Sequence, residues 1–354
     1  MTLAPRSLDE LQEAVRASAP APLRVRGGGS KRVAARDGTT LDTRALTGIV
    51  AYQAAECVIT ALAGTPLRDL HRVLAEHGQY LPFDPPLARR GATVGGTVAV
   101  GLSGSGRLRY GGIRDFVIGA AVVDGEGRLI RSGGQVVKNA AGFLLHHGLV
   151  GSAGRFGVIG EVALKVFPAP EARATLRVAA TSTAAALAAH RRLLGAVPDL
   201  EALDVDVAEA VVWARLAGAA SALPTRFERA RAVVGDATAS YLGGDDDAAV
   251  WDAAADLAWA PPGATVVKVA AAPSRLEALV AALGGLGPLR ITCAGAAILV
   301  ATARPVADVE AALPPGSRAA VARGADCGRV LGAAVSNVFG ERVRRTLDPT
   351  GRFV

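Results

Sequence analysis

Cysteine and aromatic residues are scarce in this sequence, and each scarcity excludes something. The three cysteines, Cys57, Cys293 and Cys327, stand far apart, and no Cys-x-x-Cys pair occurs. Structural zinc sites and iron–sulfur clusters need several ligands at short spacing, so we expect free, buried thiols, no metal and no cluster. Aromatic residues make up 4% of a chain that is 51% hydrophobic. Its cores should therefore be built from Ala, Val and Leu.

The sequence also lacks long uncharged apolar runs and long basic runs. No stretch of 18 uncharged apolar residues and no basic-then-apolar start is present, which predicts neither a membrane span nor a signal peptide. The net charge of +7 comes from 39 basic and 32 acidic residues, with no Lys/Arg run longer than two, so we expect no nucleic-acid partner. A length of 354 residues allows two domains. The expected location is cytoplasmic, at most peripheral to the inner membrane through partners.

The common nucleotide-binding fingerprints are missing as well. Neither the Gly-x-Gly-x-x-Gly of Rossmann domains nor the Gly-x-x-x-x-Gly-Lys-Ser/Thr of P-loops occurs in the glycine-rich regions. What the chain has is three other glycine-rich segments, at residues 26–31, 92–104 and 151–160. Backbone of this kind turns tightly and lets a phosphorylated or flat ligand lie against its amides. Three such segments predict a large, phosphate-bearing cofactor held along its length.

Helical and strand patterns alternate along the chain and predict an α+β fold. A capping box from Ser7 to Glu10 indicates an opening amphipathic helix. Thr65 before Pro66 is typical of an N-cap followed by proline at the first helical position. We expect residues 243–247, GGDDD, to form an exposed loop.

The three glycine-rich segments resemble, in order and content, those of the vanillyl-alcohol-oxidase, PCMH-type, FAD-binding family. Residues 62–67, 81–86 and 137–143 are similar to segments of the flavin subunits of bacterial glycolate oxidases. Residues 347–353, LDPTGRF, are similar to the closing motif of those subunits. The resemblance therefore implies FAD as the cofactor.

The same resemblance implies a domain organisation. A two-subdomain FAD-binding domain is expected over residues 1–170. A smaller α+β cap domain, for substrate or subunit contact, should follow over residues 171–330. Residues 331–354 should form a C-terminal helix, predicted at 334–346, and a tail that packs back on the FAD domain.

Cofactor-binding residues follow from the resemblance and from the chemistry of each segment. Some relatives carry a histidine that bonds covalently to the flavin, where this chain has Ser30, so we expect non-covalent FAD. Amides of the first segment and hydroxyls of the second suit phosphate oxygens and ring heteroatoms. The expected contacts are Gly27, Gly28, Gly29, Ser30, Lys31, Thr65, Pro85, Thr93, Gly95, Gly96, Thr97, Gly101, Gly104, Tyr110, Gly157, Val158 and Ile159.

No residue stands out as a catalytic base. The adjacent His146 and His147 point about 100° apart on a helix and cannot chelate one metal, which favours polar helix surface. Related lactate dehydrogenases and the larger glycolate oxidase subunit carry two histidines and an Asp-Gly-Asn group in their C-terminal half. This chain has neither after His190. Arg107, Arg109 and Arg114 could each pair with a substrate carboxylate or be structural.

The resemblance implies a subunit that carries flavin in a complex oxidising glycolate to glyoxylate. Its expected partners are a larger flavin subunit, which holds the main hydroxy-acid site, and an iron–sulfur subunit that receives electrons. Two alternatives stay open. One is a stand-alone FAD-linked 2-hydroxy-acid dehydrogenase, and the other is a structural subunit without a redox role.

Overall fold

A computed structural model describes residues 1–31, 38–134, 144–235, 239–333 and 338–353, without the side chain of Phe339. The predicted motif at residues 137–143 and the predicted helix start at residues 334–337 lie outside these ranges. Helices and strands alternate through the described part of the chain. The predicted α+β class is therefore confirmed.

The first half of the chain forms small sheets with short helices between them. Strands β1–β3–β2 pair in parallel, β4–β5–β9–β7–β8 form an antiparallel sheet, and β6 pairs with β10. The apolar core on this sheet is built mainly from Ala, Val and Leu, as the composition predicts. In chain order the elements are β1 (Thr2–Leu3), α1 (Leu8–Ala17), β2 (Leu23–Arg26), β3 (Thr39–Asp42), β4 (Ile49–Gln53), β5 (Val58–Leu62), α2 (Leu67–Ala75), β6 (Gln79–Tyr80), α3 (Val94–Val100), α4 (Arg107–Tyr110), β7 (Val117–Val123), β8 (Leu129–Gly133), α5 (Leu145–Leu149), β9 (Val158–Lys165) and β10 (Phe167–Pro168).

The second half builds one nine-stranded antiparallel sheet in the order β14–β11–β13–β12–β16–β17–β15–β18–β19. Helices lie against one of its faces and bury the larger apolar core there. The elements are β11 (Ala172–Ala179), α6 (Thr183–Ala196), β12 (Ala202–Asp206), β13 (Val211–Gly218), α7 (Leu223–Val234), β14 (Ala239–Gly243), α8 (Gly244–Ala255), β15 (Thr265–Ala270), α9 (Leu276–Leu283), β16 (Leu289–Thr292), β17 (Ala297–Thr302), α10 (Val306–Ala312), β18 (Arg318–Arg323), β19 (Val330–Gly332) and α11 (Val338–Leu347). The domain boundaries after residues 170 and 330 stay predictions.

The two faces of the nine-stranded sheet differ in polarity. In β12, Leu203 and Val205 belong to the helix-covered core, while Asp204 between them points to the other face because side chains alternate along a strand. That second face carries Arg215 and Arg290 among other polar residues, and part of it packs on the core of the first half through Leu299. The sheet thus offers a polar surface to the glycine-rich half of the chain.

The C-terminal segment returns to the first half of the chain, as predicted. The carbonyl oxygen of Leu347, at the end of α11, accepts a hydrogen bond from the Gly125 amide at 2.7 Å. The buried guanidinium of Arg352 donates to the carbonyl oxygens of Val15 and Gly125, both at 3.0 Å, and to Ser18 at 2.9 Å. These bonds attach the tail to the end of α1.

Two local predictions are wrong. The segment predicted as an exposed loop at residues 243–247 is the end of β14 and the first turn of α8, and Asp247 within it is buried. Acidic side chains stabilise a helix N-terminus, and Arg215, distant in sequence, pairs with Asp247. The N-cap of α2 is Pro66, while the Thr65 hydroxyl instead bonds the amide and carbonyl groups of Gly48, each at 3.0 Å.

Candidate functional site

The first glycine-rich segment follows β2 and leaves consecutive amides free. The amides of Gly27, Gly28, Gly29 and Ser30 donate no hydrogen bond to any other described residue. Gly29 has φ +70°, a conformation that favours glycine. Successive unpaired amides in a turn form an anion-binding concavity. This is the arrangement that a pyrophosphate needs.

The first segment lies against the second one. A Cβ atom at Gly27 would lie 2.8 Å from the Thr93 hydroxyl oxygen, and one at Gly28 would collide with the Gly91 carbonyl oxygen. Only glycine permits this close approach. Thr93 caps α3 by accepting a hydrogen bond from the Gly96 amide at 3.3 Å. The predicted Gly27, Gly28, Thr93 and Gly96 are therefore neighbours.

Helix α3 has one polar group that no described residue satisfies. The Thr97 hydroxyl is buried and has no hydrogen-bond partner, although buried polar groups are nearly always paired. A Cβ atom at Gly96 would meet only the Thr93 hydroxyl, at 3.0 Å. Gly95 differs, because its side-chain position is filled by Ala63, whose carbonyl oxygen accepts the Gly95 amide at 2.8 Å. Gly95 serves packing between α3 and the strand segment beside it.

The third glycine-rich segment completes the cluster around α3. The Gly151 and Ala153 amides donate to the carbonyl oxygens of Val98 and Ala99 at 3.0 and 2.8 Å. A Cβ atom at Gly101, which has φ +67°, would lie 3.0 Å from the Gly151 nitrogen. All three segments therefore meet at one helix, which supports the predicted extended cofactor site.

The predicted residues near the end of the third segment have structural roles. Gly157 has φ +131°, and a Cβ atom there would lie 2.7 Å from the Val123 carbonyl oxygen. Val158 and Ile159 begin β9 with their side chains in the apolar cores. Their contact with a cofactor stays a prediction, as does that of Thr65.

Lys31 ends the first segment in an unusual environment. Its side chain is buried, and burial lowers the pKa of its ammonium group to about 8. Its carbonyl oxygen accepts the Gly324 amide at 2.9 Å, so the segment is attached to the chain just after β18. Cys327 lies near enough to act on Lys31 electrostatically. A cation at this position suits a phosphorylated ligand.

The segment from Gly104 to Tyr110 joins the glycine-rich half to the nine-stranded sheet. A Cβ atom at Gly104 would lie 2.8 Å from that of Asp84, and the Gly104 carbonyl oxygen accepts from the Cys293 thiol at 3.4 Å. The Tyr110 hydroxyl donates to Glu201 at 3.2 Å. Arg107 acts electrostatically on Lys268 of β15. Tyr110 is thus held by the sheet, a partner that sequence reasoning did not find.

A cavity of about 510 Å³ lies between this segment and the polar face of the sheet. The predicted Pro85 and Gly104 line it, together with Asp84, which sequence reasoning missed. Burial raises the pKa of the Asp84 carboxyl to about 6, and its Oδ2 accepts the Gly106 amide at 3.0 Å. Asp84 also has φ +44°. A strained residue with a perturbed pKa in a cleft marks a candidate functional position.

Three arginines from the sheet line the same cavity, each paired with a carboxylate. Arg173 bonds Glu201 at 3.0 Å and Arg215 bonds Asp247 at 2.5 Å. The third is Arg290, which bonds Asp204 at 3.0 Å. Buried ion pairs must be well hydrogen-bonded to be tolerated. In the sequence, these ion pairs are indicated only by an arginine or aspartate within an otherwise apolar strand.

The histidines do not form a metal site in the described part of the chain, where no group of three metal-ligating side chains occurs. His146 is buried, with its Nδ1 3.0 Å from the Ser132 hydroxyl, so the prediction of polar helix surface is wrong for it. His190 lies in the larger core, where burial lowers its pKa to about 4. Of the predicted buried thiols, Cys293 is buried, whereas Cys57 and Cys327 are half-buried.

Comparison with known proteins agrees with this site. Residues 1–133 match the family described as "FAD binding domain". This part of the chain is therefore similar to an FAD-binding domain. The unpartnered amides of residues 27–30, the open side of Gly96 and the unsatisfied Thr97 hydroxyl fit such a cofactor.

Similar proteins extend the comparison beyond this domain. Glycolate oxidase subunit GlcE of Escherichia coli is 44% identical over 172 residues, which cover 48% of this chain and 49% of that protein. D-lactate dehydrogenase of Archaeoglobus fulgidus is 35% identical, over 42% of this chain and 33% of that protein. The chain thus spans half or less of the length of these relatives. A solved structure of alkyldihydroxyacetonephosphate synthase superposes with a TM-score of 0.71 at 15% identity, covering 99% of this chain and 75% of that one. That likeness shows the fold alone.

In the described residues, no helix has both the length and the apolarity that crossing a bilayer requires.

Proposed function

We propose that this chain is the FAD-binding subunit of a complex that oxidises glycolate to glyoxylate. The observation that carries the proposal is the set of unpartnered amides at residues 27–30, placed against α3 within the part of the chain that is similar to an FAD-binding domain. The 44% identity to a glycolate oxidase subunit supports the choice of complex. Bound FAD would supply the electron-accepting ring.

The role of this chain in the complex is that of a flavin carrier and electron relay. Among the described residues, the carboxyl-terminal half contains one histidine, His190, which lies inside an apolar core. General-base catalysis typically contributes about 10²–10⁴-fold to the rate. A larger flavin subunit would then hold the main hydroxy-acid site, and an iron–sulfur subunit would receive the electrons. The location would be cytoplasmic, peripheral to the inner membrane only through those partners.

FAD is held without a covalent bond in this proposal. Ser30 stands where some relatives have a flavin-linked histidine. Its hydroxyl can donate to a phosphate oxygen but forms no bond to a flavin ring. The domain division at residues 170 and 330 is part of the same proposal.

The test is anaerobic mixing of the purified, FAD-loaded chain with glycolate. We expect the flavin of the lone chain to be reduced at a rate near background. Once the partner subunits are added, we expect glycolate to reduce the flavin quickly and the iron–sulfur subunit to receive the electrons. Absorbance of the flavin is the readout. Equal, slow reduction with and without the partners would contradict the assignment to a complex.

A second candidate is a self-sufficient FAD-linked 2-hydroxy-acid dehydrogenase. Two observations favour it: the similarity to D-lactate dehydrogenase, and the cavity lined by charged side chains beside the glycine-rich half. Rapid, stoichiometric bleaching of the lone chain by glycolate or D-lactate would support this candidate over the relay.

A further inference from the structure

One ion pair in the 510 Å³ cavity is incompletely satisfied. Arg290 of β16 and Asp204 of β12 both line the cavity, and only 6% and 1% of their surfaces are exposed. Arg290 Nε donates to Asp204 Oδ2 at 3.0 Å. Ser105 also donates to Oδ2, at 2.7 Å. One oxygen of the carboxylate thus receives both bonds.

The other halves of the two groups have no partner. Arg290 Nη2 and Asp204 Oδ1 are buried and form no hydrogen bond. A buried donor or acceptor without a partner costs about 1–3 kcal/mol, and more when it is charged. The structure therefore holds an unused donor and an unused acceptor on one ion pair beside a cavity.

The neighbouring arginines lack this feature. Arg215 donates from both Nε and Nη2 to Asp247, and Arg173 bonds both oxygens of Glu201 through Nε. No nitrogen of Arg173 or Arg215 is among the buried, unpartnered atoms of the described residues. The unsatisfied pair is thus specific to Arg290 and Asp204.

We propose that this cavity binds a small 2-hydroxycarboxylate through Arg290 and Asp204. The ligand carboxylate would accept from Arg290 Nη2, and its hydroxyl would donate to Asp204 Oδ1. A carboxylate without the hydroxyl would pair with the arginine only and leave Asp204 Oδ1 without a donor. Its affinity should therefore be lower than that of the 2-hydroxycarboxylate. The two atoms require a ligand with one acceptor and one donor, and the choice of a 2-hydroxycarboxylate among such ligands rests on the proposed function, which also supplies glycolate as the probe.

This site would give the chain its own ligand, separate from the role of relay. It needs no reaction, only binding, and it can be tested without the partner subunits. It also assigns ligand recognition to the nine-stranded sheet, whereas the arginines singled out in the sequence, Arg107, Arg109 and Arg114, all lie in the glycine-rich half.

The first test is isothermal titration of the oxidised, FAD-loaded chain with glycolate and with acetate. We expect one glycolate per chain, bound at least tenfold more tightly than acetate, since one additional hydrogen bond to a charged group is worth about tenfold. Equal affinities, or no heat from either ligand at millimolar concentration, would overturn the proposal.

Variants locate the site. Arg290→Lys keeps a positive charge beside Asp204 but replaces the planar guanidinium, whose Nε and Nη2 donate in fixed directions, with a single nitrogen. Glycolate affinity should therefore fall at least tenfold with FAD content and melting temperature retained. Asp204→Asn should lower the preference for glycolate over acetate. Arg226→Lys is the matched control, because Arg226 pairs with Asp199 outside the cavity. Unchanged glycolate binding in Arg290→Lys, or an equal loss in the control, would refute the assignment.

The two proposals fail in distinguishable ways. A chain that binds FAD and relays electrons in the complex, but gives no glycolate heat, refutes only this site. A chain that binds glycolate but shows no flavin chemistry with its partners refutes only the proposed function.

Discussion

Replacing Asp84 by Asn should stabilise the protein, and the gain should grow as the pH rises. The Asp84 carboxyl lines the cavity, and burial raises its pKa to about 6 from the ordinary 3.8. Asn keeps the oxygen that accepts the Gly106 amide. It also tolerates the φ of +44°, which most side chains avoid.

The sign and size follow from the two pKa values. Because the folded state holds the proton more tightly than the unfolded chain, ionisation of Asp84 costs stability as the pH rises from about 4 through 6. A difference of about two units corresponds to at most about 3 kcal/mol, and access of water to the cavity lowers this figure. The variant should therefore match the wild type near pH 4 and exceed it by about 1–3 kcal/mol near pH 7.5.

The assay is thermal unfolding of both proteins at the two pH values. Asp245→Asn, at an exposed position in the first turn of α8, is the control for loss of a carboxylate and should show no such pH-dependent gain. A stability difference that is the same at both pH values, or that shrinks as the pH rises, would refute the reasoning.

Two further substitutions test other parts of the structure. Gly96→Val should lower the affinity for FAD at least tenfold, because the valine side chain would occupy space predicted for the cofactor. The melt should stay cooperative, because among the described residues only the Thr93 hydroxyl lies near the new Cβ, at 3.0 Å. FAD titration checks this, and unchanged affinity would show that the cofactor does not reach α3. Arg352→Met should lower the free energy of unfolding by about 2–4 kcal/mol by leaving several buried acceptors unpaired. Calorimetry against the exposed-site control Arg345→Met checks it, and equal stability of the two variants would contradict the attachment of the tail.

The contacts among the three glycine-rich segments depend on local sequence, and the cofactor site they would form stays a prediction. Glycine is needed at residues 27 and 28, where the backbone approaches Thr93 and Gly91, and it is favoured at residue 29 by the φ of +70°. The identity of these residues therefore indicates the local structure. The family resemblance then placed the three segments in one site. A glycine that is needed for packing, such as Gly95 against Ala63, cannot be distinguished in the sequence from a glycine that makes room for a cofactor. For that reason packing and cofactor roles were not separated.

The cavity was not predictable, because it depends on pairing between distant residues. Strand β12 pairs with β16, more than 80 residues away, and this brings Asp204 to Arg290. The sequence alone does not fix the strand order of a nine-stranded sheet. The burial of Asp247 in α8 was not predictable for the same reason, since its partner Arg215 lies in β13. An acidic triplet after two glycines predicts an exposed loop, although it is equally typical of a helix N-terminus.

Non-covalent binding of FAD can be measured from the visible spectrum of the purified chain before and after acid precipitation. We expect a yellow protein whose flavin passes entirely into the supernatant as intact FAD, at close to one per chain. Colour that stays with the precipitate would contradict non-covalent binding, and a colourless chain that takes up no added FAD would contradict the cofactor site itself.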